Sequence, residues 1–442
     1  MSASRLPTNR NMWRIAAPMI LSNISVPLLG MVDTGVVGHL ENSTYLGAVA
    51  IGGMIFTFIY IGMNFLRMGT TGIAAQSYGA DDNDGLRVAL GQALIVSFAI
   101  AIALIVLQVP IAKIALLLLG GDAETQQHAA TYFFIRVWSA PGTLANYVII
   151  GWFLGLQNAR VPLLIFLTIN ITNIVLDLVF VLVLGMKVDG VALASVIAEY
   201  SGLAVGTTFA LGALRKRAGH WPIERFRKLA AYRAFFSVNA NLFVRTMALM
   251  FTLAFVTAQG ARLGPAILAA NAVLMNFQNL TALGLDGIAH AAEAMVGRAV
   301  GQKDDNALRH TVNLTLRWSV IFAAGFTLAY VVAGPLIVRT LTDLPDVRET
   351  AMIYLPWLIA SPLISVWSFL YDGVFVGMTR AREMRNIMLI AAFFIFIPLW
   401  YVTQPFGNHG LWFAFMAFLA ARGIGMHLGY RRALQEGLNH AS

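Results

Sequence analysis

Asp33 stands in the middle of the first strongly apolar run of the chain, in the stretch Gly30-Met31-Val32-Asp33-Thr34-Gly35. A carboxylate near a bilayer centre costs about 2.5 to 3.5 kcal/mol even on lenient insertion scales, so an acid kept there is a candidate for function. Farther along, Asn170, Asn173 and Asp177 are separated by three and four residues and fall on one helix face, and Ser195 and Glu199 repeat the spacing of four. Carboxylate, amide and hydroxyl oxygens gathered in a low-dielectric interior hold an alkali cation well, and two carboxyls among them titrate as a coupled pair. A proton and a sodium ion therefore compete for one oxygen-lined place at Asp33, Asn173 and Asp177, with Ser195 beside it. Pro18 and Pro27 lie on the same run as Asp33. Proline removes a backbone donor and leaves a carbonyl unpaired, which lets this helix bend.

A second group of charges lies later in the chain: Asp286, Glu293 and Asp372, with Arg245 in the same region. Two readings stand. Arg245 forms a buried ion pair with Asp286 or Glu293, or Asp372, beside Tyr371, lines a substrate cleft to which Asn170 also contributes. The pairs Gly151-x-x-x-Gly155 and Gly373-x-x-x-Gly377 are small-residue packing motifs, where helices approach closely.

The elements that position these residues follow from composition. Of 442 residues, 58% are hydrophobic and only 12% charged, with mean hydropathy +0.73, against about 25% charged in soluble domains. A membrane helix needs about 20 apolar residues, and about twelve such runs are present. They predict spans near 13–37, 45–68, 88–110, 130–153, 161–184, 190–212, 234–258, 266–290, 311–333, 350–376, 384–403 and 409–429. An even number puts both termini on one side. Arginine and lysine crowd one set of loops, from Arg5, Arg10 and Arg14 through Arg215, Lys216 and Arg217 to Arg431 and Arg432, which makes that side cytoplasmic. The net charge of +9 is spread over these short segments and gathers on no folded polar face, so no nucleic-acid partner is expected. Cysteine is absent, which excludes disulfides, thiolate metal sites and cysteine nucleophiles.

An internal repeat organises the chain. The stretch Ala74 to Leu90 matches Ala294 to Val312, aligning Gly79 with Gly301, and 301 − 79 = 222. The same shift aligns Gly151 to Arg160 with Gly373 to Arg382. Six spans per half give the halves one orientation and relate them by an axis along the membrane normal. The expectation is an all-α integral membrane protein of twelve transmembrane helices in two six-helix lobes, residues 1–213 and 234–442, joined by a basic cytoplasmic linker, 214–233. Under the shift Asp33 pairs with Phe255 and Asp177 with Leu399, while Asp372 pairs with Ile150, so the acids are no part of the repeated scaffold.

The stretches Pro18 to Leu40, Met68 to Ala80, Ser139 to Arg160, Asn170 to Leu178 and Leu285 to Gly301 together resemble the multidrug and toxic compound extrusion transporters, over nearly the whole chain, most closely their DinF-like branch. The resemblance implies a V-shaped pair of lobes in a bacterial inner membrane, both termini cytoplasmic. It further implies export of organic cations or other amphiphiles, driven by inward proton or sodium flow. By position the family's first-span acid falls on Asp33, its fifth-span pair on Asn173 and Asp177, its sixth-span hydroxyl on Ser195, and its bending proline on Pro18. Related members carry an acid on the seventh span, where this chain has only Arg245, which favours coupling in the first half. The expected protein is a monomeric antiporter, not an enzyme, with no cofactor beyond the coupling ion. The alternative is a lipid-linked saccharide flippase of related architecture, whose anionic head group would call for several arginines. An intramembrane aspartyl protease is disfavoured, since neither Asp286 nor Asp372 follows a Gly-x-Gly motif.

Overall fold

The computed structural model describes residues 6–38 and 43–437, the side chains of 26–34, 36–38, 43, 229 and 231 excepted. The chain divides into two compact units, residues 21–236 and residues 1–20 with 237–442. Helix α1 (Asn9–Gly38) contributes to both. The first unit continues with α2 (Ser43–Met63), α3 (Phe65–Gly79), α4 (Asn83–Val106), α5 (Gln108–Leu119), α6 (Ala123–Arg136), α7 (Ala140–Gly155), α8 (Arg160–Asp177), α9 (Val188–Arg215) and the short α10 (Ile223–Arg227). Helix α11 (Arg233–Leu263) leads into the second unit, followed by α12 (Pro265–Gly301), α13 (Asp305–Leu341), α14 (Pro345–Gly377), α15 (Ala381–Leu389), α16 (Ile397–Thr403) and α17 (Asn408–Glu436). Among the described residues, ten helical stretches are long and apolar enough to cross a membrane. The stretch formed by α6, a 3₁₀ turn and α7 is a further long helical segment, as is α1.

The 222-residue repeat persists down to single backbone angles. Stretches 43–79, 83–119 and 123–155 recur at 265–301, 305–341 and 345–377. Asp81 and Lys303 both have positive φ, 55° and 54°, as do Gln157 and Thr379, at 59° and 55°. Each of the four closes a helix end. The amide of Asp82 reaches the Ser77 carbonyl at 2.9 Å and that of Asp304 reaches Ala299 at 3.1 Å, the six-to-one bond of a Schellman cap. Asp82 and Asp304 then cap α4 and α13, accepting from Gly85 N at 2.8 Å and Ala307 N at 2.9 Å. Loss of such a cap costs about 1 kcal/mol.

Lipid is as apolar as leucine, so helices in a membrane adhere through close packing and polar contacts rather than through escape from water. The glycine pairs supply that closeness twice. A Cβ on Gly151 would collide with the Arg67 carbonyl and one on Gly155 would lie 2.7 Å from Ala74 Cβ, on α3. On α12, a Cβ on Gly373 would strike the Ala289 carbonyl and one on Gly377 would lie 2.6 Å from the Glu293 carbonyl.

Two features differ from the sequence expectation. Helix α13 runs past both ends of its apolar run, because charged residues such as Asp305 and Arg309 continue the helix beyond the lipid-soluble stretch. Helix α5 begins inside the apolar run near 88–110 and occupies about half of the interval before the span near 130–153. It keeps Leu117 and Leu118 about four-fifths exposed while packing beside α2 and α6, as an apolar helix facing lipid does.

Candidate functional site

In the first unit, Asn170, Asn173 and Asp177 are buried on one face of α8, and Asp177 has no exposed surface. Asn173 Nδ2 donates to Ser195 Oγ on α9 at 3.4 Å, and Asn170 Nδ2 donates to Ser25 Oγ on α1 at 2.8 Å. The spacing of three and four thus serves two neighbours, α9 and α1. Asp177 ends α8, and the chain passes directly into a π-helical stretch, Leu178–Val183. Its wider turn makes i to i+5 bonds, as from Leu184 N to the Val179 carbonyl at 2.9 Å, and such turns concentrate at functional sites. Asp33 belongs to α1, but its side chain lies outside the described residues. Helix α1 continues without a break through Pro18. The buried oxygens of Asp177, Asn173 and Ser195 are of the kind that take up a proton or an alkali cation.

The second unit corrects the reading of its charges. Arg245 on α11 pairs with Asp372 on α14, not with Asp286 or Glu293. Arg422 on α17 donates to the same oxygen, Asp372 Oδ2, at 2.8 Å. Both arginines are more than nine-tenths buried. Asp372 is therefore clamped by two cations through Oδ2, while its Oδ1 is buried without a hydrogen-bond partner among the described residues. Glu293 instead lies 3.4 Å from His290 Nδ1 on its own helix, and Asp286, half-buried on α12, sits within electrostatic reach of Arg422. Tyr371 shares its hydroxyl with His427 Nδ1 at 2.7 Å and packs against Tyr430.

Arg422 is the member of this buried charge cluster that sequence reasoning missed. A signal was present, since an arginine inside an apolar span is as costly as an aspartate and calls for a buried acid partner. Its partner lies 50 residues away on another helix, and spacing alone carries no such information.

Comparisons with known proteins agree with the repeated helical fold. The MatE family model matches residues 18–179 and again 241–402, two stretches whose starts differ by 241 − 18 = 223 residues. The chain is 40% identical over 431 residues to DNA damage-inducible protein F of Escherichia coli K12, covering 97% of this chain and 94% of that one. It is 24% identical over 449 residues to a probable multidrug resistance protein NorM of Rhizobium meliloti, with 95% and 92% coverage. Among solved structures, the Vibrio cholerae MATE transporter VcmN in its bent form superposes with a TM-score of 0.87 at 19% identity, covering 98% of both chains. A MOP superfamily transporter from Pyrococcus furiosus superposes with a TM-score of 0.84 at 18% identity, covering 96% of both. A family model that matches each repeat in turn, and a relative matched nearly end to end, identify this multi-pass membrane protein as a member of the MATE family of multidrug and toxic compound efflux transporters.

Proposed function

We propose that this transporter exports organic cations or other amphiphiles in exchange for protons or sodium ions, coupled through Asp33 together with Asn173, Asp177 and Ser195. The observation that carries the reading is the complete burial of Asp177 on the face of α8 where Asn173 reaches Ser195. A desolvated carboxylate at such a place gains most from a small cation or a proton, and either can move it between two arrangements of its neighbours. The second unit supports the same choice by contrast, because the charge of Asp372 is already answered by Arg245 and Arg422. Those two arginines are also what an anionic saccharide-lipid head group would require. Their commitment to Asp372 disfavours the flippase alternative.

Pro18 provides the mechanical element of this proposal. Protonation or cation capture at Asp33 and Asp177 changes which oxygens and amides they pair with, and a helix lacking one backbone bond at Pro18 tilts at little cost. The density of arginine on one set of loops supports cytoplasmic termini in a bacterial inner membrane. The working unit is a monomer that acts on small molecules, with no enzymatic step and no nucleic acid. Purified protein in liposomes, with a pH gradient and a sodium gradient imposed separately, tests the reading. Export of an amphiphilic cation driven by one gradient is expected, and export that ignores both refutes it.

A further inference from the structure

We propose that Glu199, on α9 one turn beyond Ser195, recognises the charged nitrogen or phosphorus of a cationic compound and sets the preference of the transporter for cations over neutral molecules of the same shape. The proposal deepens the efflux reading above and rests on it. It assigns cation recognition to a residue separate from the set given there to ion coupling.

Glu199 is fixed against α7. The Asn146 side-chain amide donates both to the Glu199 backbone carbonyl, at 2.9 Å, and to its carboxylate Oε2, at 3.0 Å. Gly142 packs on the same residue, where a Cβ would make an ordinary van der Waals contact of 3.4 Å with the Glu199 backbone carbon. Acceptors gather around the carboxylate. Asn146 Oδ1 is buried without a hydrogen-bond partner among the described residues, and the Thr143 hydroxyl, also buried, stands beside both Glu199 and Tyr60. The hydroxyls of Tyr60 and Tyr147 lie within electrostatic reach, Tyr60 held by Ser139 Oγ at 2.9 Å. A set made of one carboxylate, an amide oxygen, hydroxyls and two aromatic rings matches a cation, which gains from both charge and ring faces.

Arg136 is the cation within electrostatic reach of Glu199. Its guanidinium lies 5.2 Å from the Phe56 ring and 5.4 Å from the Tyr132 ring and bonds the Tyr132 hydroxyl, and no salt bridge joins it to Glu199 among the described residues. The carboxyl is thus membrane-embedded and hydrogen-bonded to an amide, with no ion pair to Arg136 among the described residues, a combination that marks function.

Exposure separates this place from the coupling set. Asp177 and Asn173 are sealed, with 0% and 2% of their surface accessible, as suits a bare ion. Glu199, Tyr60 and Tyr147 are each half-buried, and so present an edge that a large molecule can touch.

The test compares methyltriphenylphosphonium with neutral triphenylphosphine oxide, compounds of similar shape, by equilibrium binding to the purified full-length protein. The wild type is expected to prefer the cation by about tenfold or more, the scale of a charge-assisted contact. Glu199→Gln is expected to lose that preference while keeping its affinity for the oxide. Arg136→Gln removes the opposing charge and is expected to raise the preference, a second readout should Glu199→Gln impair folding. A wild type with no preference, a Glu199→Gln variant that retains it, or an Arg136→Gln variant that leaves it unchanged or lowers it overturns the proposal. In liposomes, Glu199→Gln should still export the oxide down a pH or sodium gradient, and loss of gradient-driven export of both compounds would move Glu199 into the coupling set. If wild-type liposomes export neither compound, the efflux reading fails while the binding preference still reports on Glu199.

Discussion

The Nη2 of Arg422 lies 2.8 Å from Oδ2 of Asp372, the oxygen that also accepts from Arg245, so one carboxylate joins three helices, α11, α14 and α17. Removing one partner from a buried ion pair leaves an uncompensated charge and costs roughly 3 to 5 kcal/mol. Arg422→Ala and Asp372→Asn are therefore expected to lower the thermal unfolding midpoint of the purified protein sharply. A midpoint within a degree of the wild type for both would show that the clamp contributes nothing to stability.

Asp177→Asn keeps the shape of the side chain and removes its charge. Gradient-driven export by this variant, and by Asp33→Asn, is expected to vanish, while the yield and elution profile of the protein stay normal. Wild-type antiport rates in either variant would take that residue out of the coupling set.

Pro18→Ala restores the missing backbone donor in α1. Exchange is expected to slow while its dependence on the ion gradient is retained, since the coupling residues are untouched. The measurement is the initial rate against imposed gradient, and an unchanged rate would remove Pro18 from the switching step.

The glycine pairs make a graded test. Gly151→Ala and Gly373→Ala place a methyl group against backbone carbonyls, those of Arg67 and Ala289, and overpacking of this sort costs about 1 to 3 kcal/mol. Gly212→Ala meets nothing within 4 Å and is expected to be silent. Melting of the three variants in parallel checks the ordering.

Acid sensitivity outside the membrane has its own source. Asp122 caps α6, and its carboxyl is held below the usual range by the Thr125 hydroxyl at 2.6 Å and the Thr125 amide at 2.9 Å. A depressed carboxyl stabilises the fold above its unfolded value, near 3.8, and that contribution disappears as pH falls through the lower folded value. Asp122→Asn is therefore expected to leave the transport rate unchanged at every pH above about 5. An altered profile there would tie this loop to the transport cycle.

The repeat and the helical class were legible in the chain because apolar run length and motif offset are local properties. Gly79 and Gly301 sit at equivalent helix ends, and the capping aspartates Asp82 and Asp304 recur with them. The shared face of Asn170, Asn173 and Asp177 was equally readable, since helix periodicity alone puts residues three and four apart together. Tertiary packing decided the partners. Nothing in spacing distinguishes Asp372 from Asp286 as the mate of Arg245, because that choice depends on which helices lie side by side and at what height. The same holds for Asn146 and Glu199, 53 residues apart in sequence and brought to 3.0 Å only where α7 packs against α9. Helix α5 is hidden in the sequence for a related reason, since a short apolar run looks the same whether it crosses a membrane, ends a span or lies along its surface, and the neighbours it packs against are what distinguish these cases.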